Sequence, residues 1–399
     1  MGTNGFTMLD NLYLRNGVFY IVTPEPSSFP PTRYIISRPV DMGPDANLEP
    51  TDRELQFLDP QEVQGVLGES HMRIDDLSVI IYDPPQFLTH FYHWWGEIIL
   101  GVWRIYSVLS TNVTSLPPPA RFLIPFSHNG EWRDRAGVNG PLMRAAFPHT
   151  SIEQSEYWED LIKLNITVVF ERVVLVNRHA AHTHNYANQW YKMIAGTMNV
   201  TVPDGFWAPI QKSLVQNILG YLPAVEDRGV GMNPLEAVSM KPLVTYISRQ
   251  AAGRRLLEKD HEGLVGALRK LEEEGICDVQ VAMMERMTVR DQIDLVARST
   301  IILGVHGNGL THQLWMPPSS RSTIIEIFSP EGFLFDYEIL ARNLGHRHYI
   351  VWNDTLLTYP KGTYHKGINY VEEFHGTTIP VHGPSVARVI KKLLADHTS

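Results

Sequence analysis

An α/β fold is what this chain predicts, and three observations carry that expectation. Between residues 243 and 352, short apolar runs alternate with segments of helical spacing, the pattern of a parallel sheet with crossover helices. One run, Ile301 to Val305, ends on His306-Gly307-Asn308-Gly309, where glycines let backbone N–H groups approach an anion closely. Another, Leu243 to Ile247, ends on Ser248-Arg249, and parallel sheets bind ligands at the carboxyl ends of their strands.

Taken in chain order, the amino-terminal half is the less regular one. Val18 to Val22, Tyr34 to Ile36, Ser78 to Tyr82, Arg121 to Ile124 and Val168 to Val176 are expected strands. Phe91 to Leu109 reads as an amphipathic helix and Pro209 to Leu222 as another. Charges, glycines and Pro234 mark Pro223 to Lys241 as the linker.

The carboxyl-terminal half opens with the strand Leu243 to Ile247 and a glycine-containing loop to Arg255. Glu258 to Glu274 is helical through Leu264, Leu268 and Leu271, with Gly275 as its stop. Val279 to Met283 is a short strand, and Thr288-x-x-Asp291 caps a helix through Ile293, Val296 and Ala297. After the strand 301–305 and its glycine turn come the strand Thr323 to Phe328, a helix Phe335 to Leu344 stopped by Gly345, and the strand His348 to Trp352. A last helix, Pro384 to Asp396, is expected to pack back on the first domain. The expected domains are therefore 1–230, 231–383 and a crossing helix 384–399.

At 399 residues, 44% apolar and 19% charged, the chain suits a soluble protein of about two domains. A net charge of −9 argues against non-specific nucleic-acid binding. The single cysteine, Cys277, permits no intrachain disulfide and reads as a packing residue. Four N-x-T sequons, at Asn112, Asn165, Asn199 and Asn353, favour a secretory-pathway protein. There is no signal peptide and no apolar run of membrane-spanning length. The start reads as an internal boundary, so a removed upstream membrane anchor is expected.

Four groups carry chemistry. At the glycine turn, His306 and the backbone after it suit a phosphate, although strand-to-helix turns also need glycine for geometry alone. Arg249 and Arg254 offer planar forks that match phosphate oxygens, with a solvated basic loop as the alternative. His93 and Glu97, four apart on the helix in HFYHWWGE, suit a general base, the alternative being a satisfied interfacial pair. His179, His182 and His184 form an H-x-x-H-x-H cluster whose zinc reading lacks a carboxylate or cysteine to complete it. No D-x-D, G-x-S-x-G, P-loop or G-x-G-x-x-G motif occurs, so metal-held diphosphate, nucleophile-elbow, P-loop kinase and NAD-dependent epimerase chemistry have no local support.

Leu12-Tyr-Leu-Arg-Asn-Gly17, His93-x-x-x-Glu97, Ile247-Ser-Arg249 with Arg254-Arg255, and GVHGNGLTHQLWMPP together resemble glycosyltransferase family 61, in the style of its fungal members. The resemblance is strong over 240–355, recognisable over 10–110 and thin over 110–235. It implies a GT-B fold, two Rossmann-like domains facing across a cleft, and inverting transfer from a UDP-sugar without an essential metal. It also implies a glycan or glycoprotein acceptor and the lumen of the Golgi or ER. By the same resemblance Ser248, Arg249 and Arg254 match the phosphate-binding segment, and His306, Gly307, Asn308, Gly309 and Leu310 match the glycine turn. Glu326 matches the acid that follows, as a ribose or uracil contact. Glu97, the expected base oriented by His93, stands where relatives have Asp, and His312 where they have Asn. UDP-xylose and UDP-GlcNAc lead the expected donors. The competing class is a non-catalytic glycan-binding protein using the aromatic residues of Phe91 to Trp103.

Overall fold

The computed structural model describes residues 2–110, 116–223 and 241–395, so the expected linker falls largely outside the described residues. The chain divides into two compact units, Met1–Pro209 and Ile210–Ser399.

The first unit is built on an eight-stranded sheet. Its strands are β1 (Gly2–Thr3), β2 (Phe6–Arg15), β3 (Val18–Val22), β4 (Leu55–Leu58), β5 (His71–Ile81), β6 (Arg121–Leu123), β7 (Ser151–Glu153) and β8 (Thr167–Val176). They lie in the order β4-β3-β2-β8-β5-β6-β7, with β1 beside β2. β2 runs against β1, β3 and β8, while β3/β4, β8/β5, β5/β6 and β6/β7 are parallel pairs. The reversal has a local cause. Asn16 and Gly17 join β2 to β3 at φ 50° and 83°, the positive-φ two-residue turn whose twist suits a hairpin. The sheet is therefore mixed, where a Rossmann-like one was expected. Tyr34 to Ile36 is not a strand: Thr32–Tyr34 is a 3-10 turn, and Ile35 and Ile36 are buried beneath it.

The second unit matches expectation closely. β9 (Leu243–Ile247), β10 (Asp278–Ala282), β11 (Ser299–Val305), β12 (Thr323–Phe328), β13 (Arg347–Trp352) and β14 (Thr355–Leu357) form one sheet in the order β10-β9-β11-β12-β13-β14. All neighbours are parallel except β13/β14. Every residue of β12 is buried, as a strand covered on both faces requires. Thr288 caps the helix Val289–Arg298 by accepting from the Asp291 amide, and Gly345 ends the helix Asp336–Leu344 at φ 82°.

The closing helix is Gly383–Ala395. Its Val386, Ile390 and Leu393 share one core cluster with Leu264, Leu268 and Leu271 of the helix Glu258–Glu273, so it belongs to the second unit's own core. Among the described residues no helix is long and apolar enough to cross a membrane.

Candidate functional site

In the second unit the chain leaves β9 toward β10 on one side, then returns to place β11 on the other. The carboxyl ends of β9 and β11 thus flank a topological switch point, where open α/β sheets take their ligands. Ile247, the last residue of β9, lies opposite Gly304 of β11, so Ser248-Arg249 and His306-Gly307 emerge side by side. The glycines make that closeness possible. A Cβ on Gly304 would lie 2.9 Å from the Ile247 carbonyl oxygen, and one on Gly309 would lie 2.9 Å from Ile247 Cγ2. At Gly307, with φ 150° and ψ 175°, a Cβ would fall 1.3 Å from Arg249 Nη1. The guanidinium occupies the space where a side chain would stand.

Arg249 Nη1 and Arg254 Nη1 both donate to the His306 carbonyl oxygen, at 2.9 and 2.6 Å. Arg254 also donates from Nη2 to His375 Nδ1 at 2.6 Å, lies over the Phe374 ring at 5.1 Å, and keeps a buried Nε without a partner. Among the described residues neither arginine forms an ion pair with a carboxylate. Burial lowers the pKa of each, and the Arg249 charge lowers that of Arg254 further. Two half-buried cations thus converge on one carbonyl with no carboxylate ion-paired to either, an arrangement that suits an anion.

The other predicted residues support the turn. Ser248 is buried and its Oγ accepts from the Gln250 amide at 3.4 Å. Leu310 is buried and its amide donates to the Gly307 carbonyl, so it does not present an N–H outward; Asn308 is exposed. His306 is 5% exposed and stacks on Phe328 at 4.9 Å. Its Nδ1 bonds Glu326 Oε1, while Glu326 Oε2 is held by His348 Nε2 at 2.8 Å. Glu326, expected as a ribose or uracil contact, is fully buried and holds the His306 ring from behind. Burial pulls His348 down to about 3, so it meets this carboxylate as a neutral donor.

In the first unit, Tyr92–Ile99 winds as a π-helix and continues as the α-helix Leu100–Ser107. Stretches of π-helix are rare and often mark functional sites. Glu97 is fully buried and held by three hydrogen bonds: Oε2 accepts from His93 Nδ1 at 2.6 Å and Arg178 Nη1 at 2.7 Å, and Oε1 accepts from the Met193 amide at 2.9 Å. Burial pushes its pKa up, but Arg178, His93 and Lys192 overcome this and hold it well below the usual carboxylate range. His93 keeps 21% of its side chain exposed. Its own pKa is lowered by burial, against the opposing pull of Glu97. A carboxylate that fixes Nδ1–H leaves the Nε2 lone pair as the group able to take a proton.

Arg178 lies over the Phe87 ring at 4.6 Å, and its Nε and Nη2 are buried without a partner. Its amide donates to Asp83 Oδ1 at 2.8 Å, and Asp83 Oδ2 is likewise buried and unpaired. Burial, with only partial relief from Arg178, raises Asp83 to about 6. His182 bonds the Ala187 carbonyl and His184 accepts from the Tyr186 amide, so both histidines serve the local helix turns. His312, the departure from the family's Asn, bridges the Gly309 carbonyl and Gln292 Oε1 in the second unit's interior. Cys277 is fully buried, as a packing residue should be. The aromatic residues proposed as a sugar-binding surface are core instead: Phe91, Tyr92, Trp94, Trp95 and Trp103 are all buried.

Sequence reasoning missed Arg178, His348 and His375. Arg178 reaches Glu97 across 81 positions, a separation no local pattern reveals. His348 had a signal: Glu326 pairs with Ile350 on the neighbouring parallel strand, and His348, two positions earlier, faces the same side.

A mostly parallel sheet of this strand order, with a glycine turn and two arginines at its switch point, has the architecture in which open α/β sheets take their ligands. The chain belongs to the glycosyltransferase 61 family, whose model matches residues 91–324. It is 33% identical over 132 residues to the EGF domain-specific O-linked N-acetylglucosamine transferase of Drosophila melanogaster, covering 33% of this chain and 24% of that protein. It is 31% identical over 145 residues to the transferase of the same name from Mus musculus, covering 34% and 26%. The matched segment thus spans about a quarter of each of these relatives.

Proposed function

We propose that the chain is an inverting glycosyltransferase of GT-B type that moves a sugar from a UDP-sugar to a hydroxyl of a glycan or glycoprotein acceptor. Xylose and N-acetylglucosamine are the leading sugars, and no divalent metal is essential. One observation carries the reading: Arg249 and Arg254 converge, with no carboxylate ion-paired to either among the described residues, at the switch point of a parallel sheet. Their guanidinium groups would bind the diphosphate and stabilise charge as it leaves.

The acceptor hydroxyl needs a base, and the first unit offers His93. With Nδ1–H held by the ionised Glu97, Nε2 takes the hydroxyl proton while the oxygen bonds to the anomeric carbon. The bond to the diphosphate breaks, its electron pair leaves with UDP, and the configuration inverts. This reading exchanges the roles expected from the sequence, and the full burial of Glu97 with its three hydrogen bonds supports it. The exposed sequons at Asn165, Asn199 and Asn353 support passage through the secretory lumen; Asn112 lies outside the described residues.

Incubation with UDP-GlcNAc or UDP-xylose and a panel of glycopeptide and glycan acceptors, in chelator, should release UDP and extend one acceptor. If UDP is not bound and none is released with any pair, the reading is wrong.

A further inference from the structure

The segment Tyr370 to His375 extends past the anion site, and the mechanism does not use it. The Ser329 hydroxyl, just after β12, donates to the Glu373 carbonyl at 2.6 Å. The Arg255 amide, in the loop after β9, donates to the Gly376 carbonyl at 3.3 Å. These bonds tie the segment to the carboxyl end of β12 and to the loop after β9. Phe374 is buried beneath it, in edge contact with His306 at 5.4 Å. His375 accepts from Arg254, so this side of the segment is fixed to a guanidinium of the anion site.

Tyr370 stands apart from these neighbours. It is 59% exposed, among the most exposed large apolar side chains of the described residues. Its ring meets Phe374 edge-on at 5.0 Å and lies near-parallel to His375 at 6.2 Å and 30°. One face of an aromatic platform is thus held from below while the rest is left to solvent, a single ring away from Arg254. An anion alone has no use for such a platform. A nucleoside diphosphate does, because its flat base must lie within reach of its phosphates, and base–aromatic stacking is favourable for every base.

We propose that Tyr370, supported by Phe374 and His375, is the stacking platform for the nucleobase of the diphosphate held by Arg249 and Arg254. This rests on the donor-site reading above and assigns the end of the donor to a segment that the sequence pattern did not single out. A ring in this position contributes through its π-face, so its hydroxyl is dispensable.

The test compares UDP with inorganic pyrophosphate by isothermal titration on the full chain. Tyr370→Ala should weaken UDP binding about tenfold or more and leave pyrophosphate unchanged, while Tyr370→Phe should match wild type for both. Loss of neither ligand, or equal loss of both, overturns the platform. Failure of the wild-type protein to bind either ligand would instead overturn the donor site itself, so the two failures are distinguishable.

Discussion

Replacing Gly307 with alanine should disable the anion site by a route that can be dissected. The new Cβ would fall 1.3 Å from Arg249 Nη1, so the guanidinium must leave. The backbone at φ 150° and ψ 175° is close to glycine-only territory, and holding alanine there costs of order 1–3 kcal/mol of stability. The binding loss is that of one charge-assisted hydrogen bond, about 1.5–3 kcal/mol, or ~10- to 150-fold in UDP affinity. Calorimetric titration of wild type, Gly307→Ala, Arg249→Ala and the double variant closes a thermodynamic cycle. If the methyl group acts by expelling Arg249, it has little left to remove in the Arg249→Ala background, and the two losses overlap. Additivity to within ~0.5 kcal/mol would mean that the two residues act independently, and the cradle described here would be wrong.

Four further outcomes concern the first unit. His93→Ala should lower turnover by ~100-fold or more with UDP affinity unchanged, as loss of a general base does; an equal loss of UDP affinity would argue against that role. Glu97→Gln should also slow turnover, and it should lower thermal stability because removing one partner of a buried ion pair costs ~3–5 kcal/mol. Because burial holds the His93 pKa below 6.5, its neutral form persists to lower pH, and the acid limb of kcat/KM should lie below that value; a limb above 7 would contradict it. Asp83 is raised from 3.8 to about 6, so its contribution favours the folded state below the lower value and is lost as pH rises through the upper one, by up to ~3 kcal/mol. Asp83→Asn should therefore raise the melting temperature at pH 8 and lose that advantage near pH 4; no gain at pH 8 would refute the assignment.

How legible the chain was in its sequence depended on where each segment lies. The central strands of the second unit are covered on both faces, so they read as mostly apolar runs: TIIEIF, with one carboxylate, is buried at every position. Caps and stops there are local chemistry, and Thr288, Gly275 and Gly345 stand where such residues end helices. β2 escaped because its middle carries exposed Asp10 and Asn11, with Asn11 at φ 54°, which breaks the expected alternation. Tyr34 to Ile36 was apolar enough to pass for a strand, but burial alone does not distinguish a strand from a packed turn. The π-winding at His93 leaves no mark either, since an i,i+4 pair suits an α-helix equally well. Residue types at the glycine turn were readable from the sequence; the full burial of Glu97 was not, because its hydrogen bonds come from Arg178 and the Met193 amide, distant in sequence.

The most direct test is a crystal structure of the protein with UDP. The account predicts the two phosphates on the guanidinium groups of Arg249 and Arg254, beside the His306–Gly309 turn. A nucleotide bound away from the carboxyl ends of β9 and β11, with both arginines still resting on the His306 carbonyl alone, would contradict it.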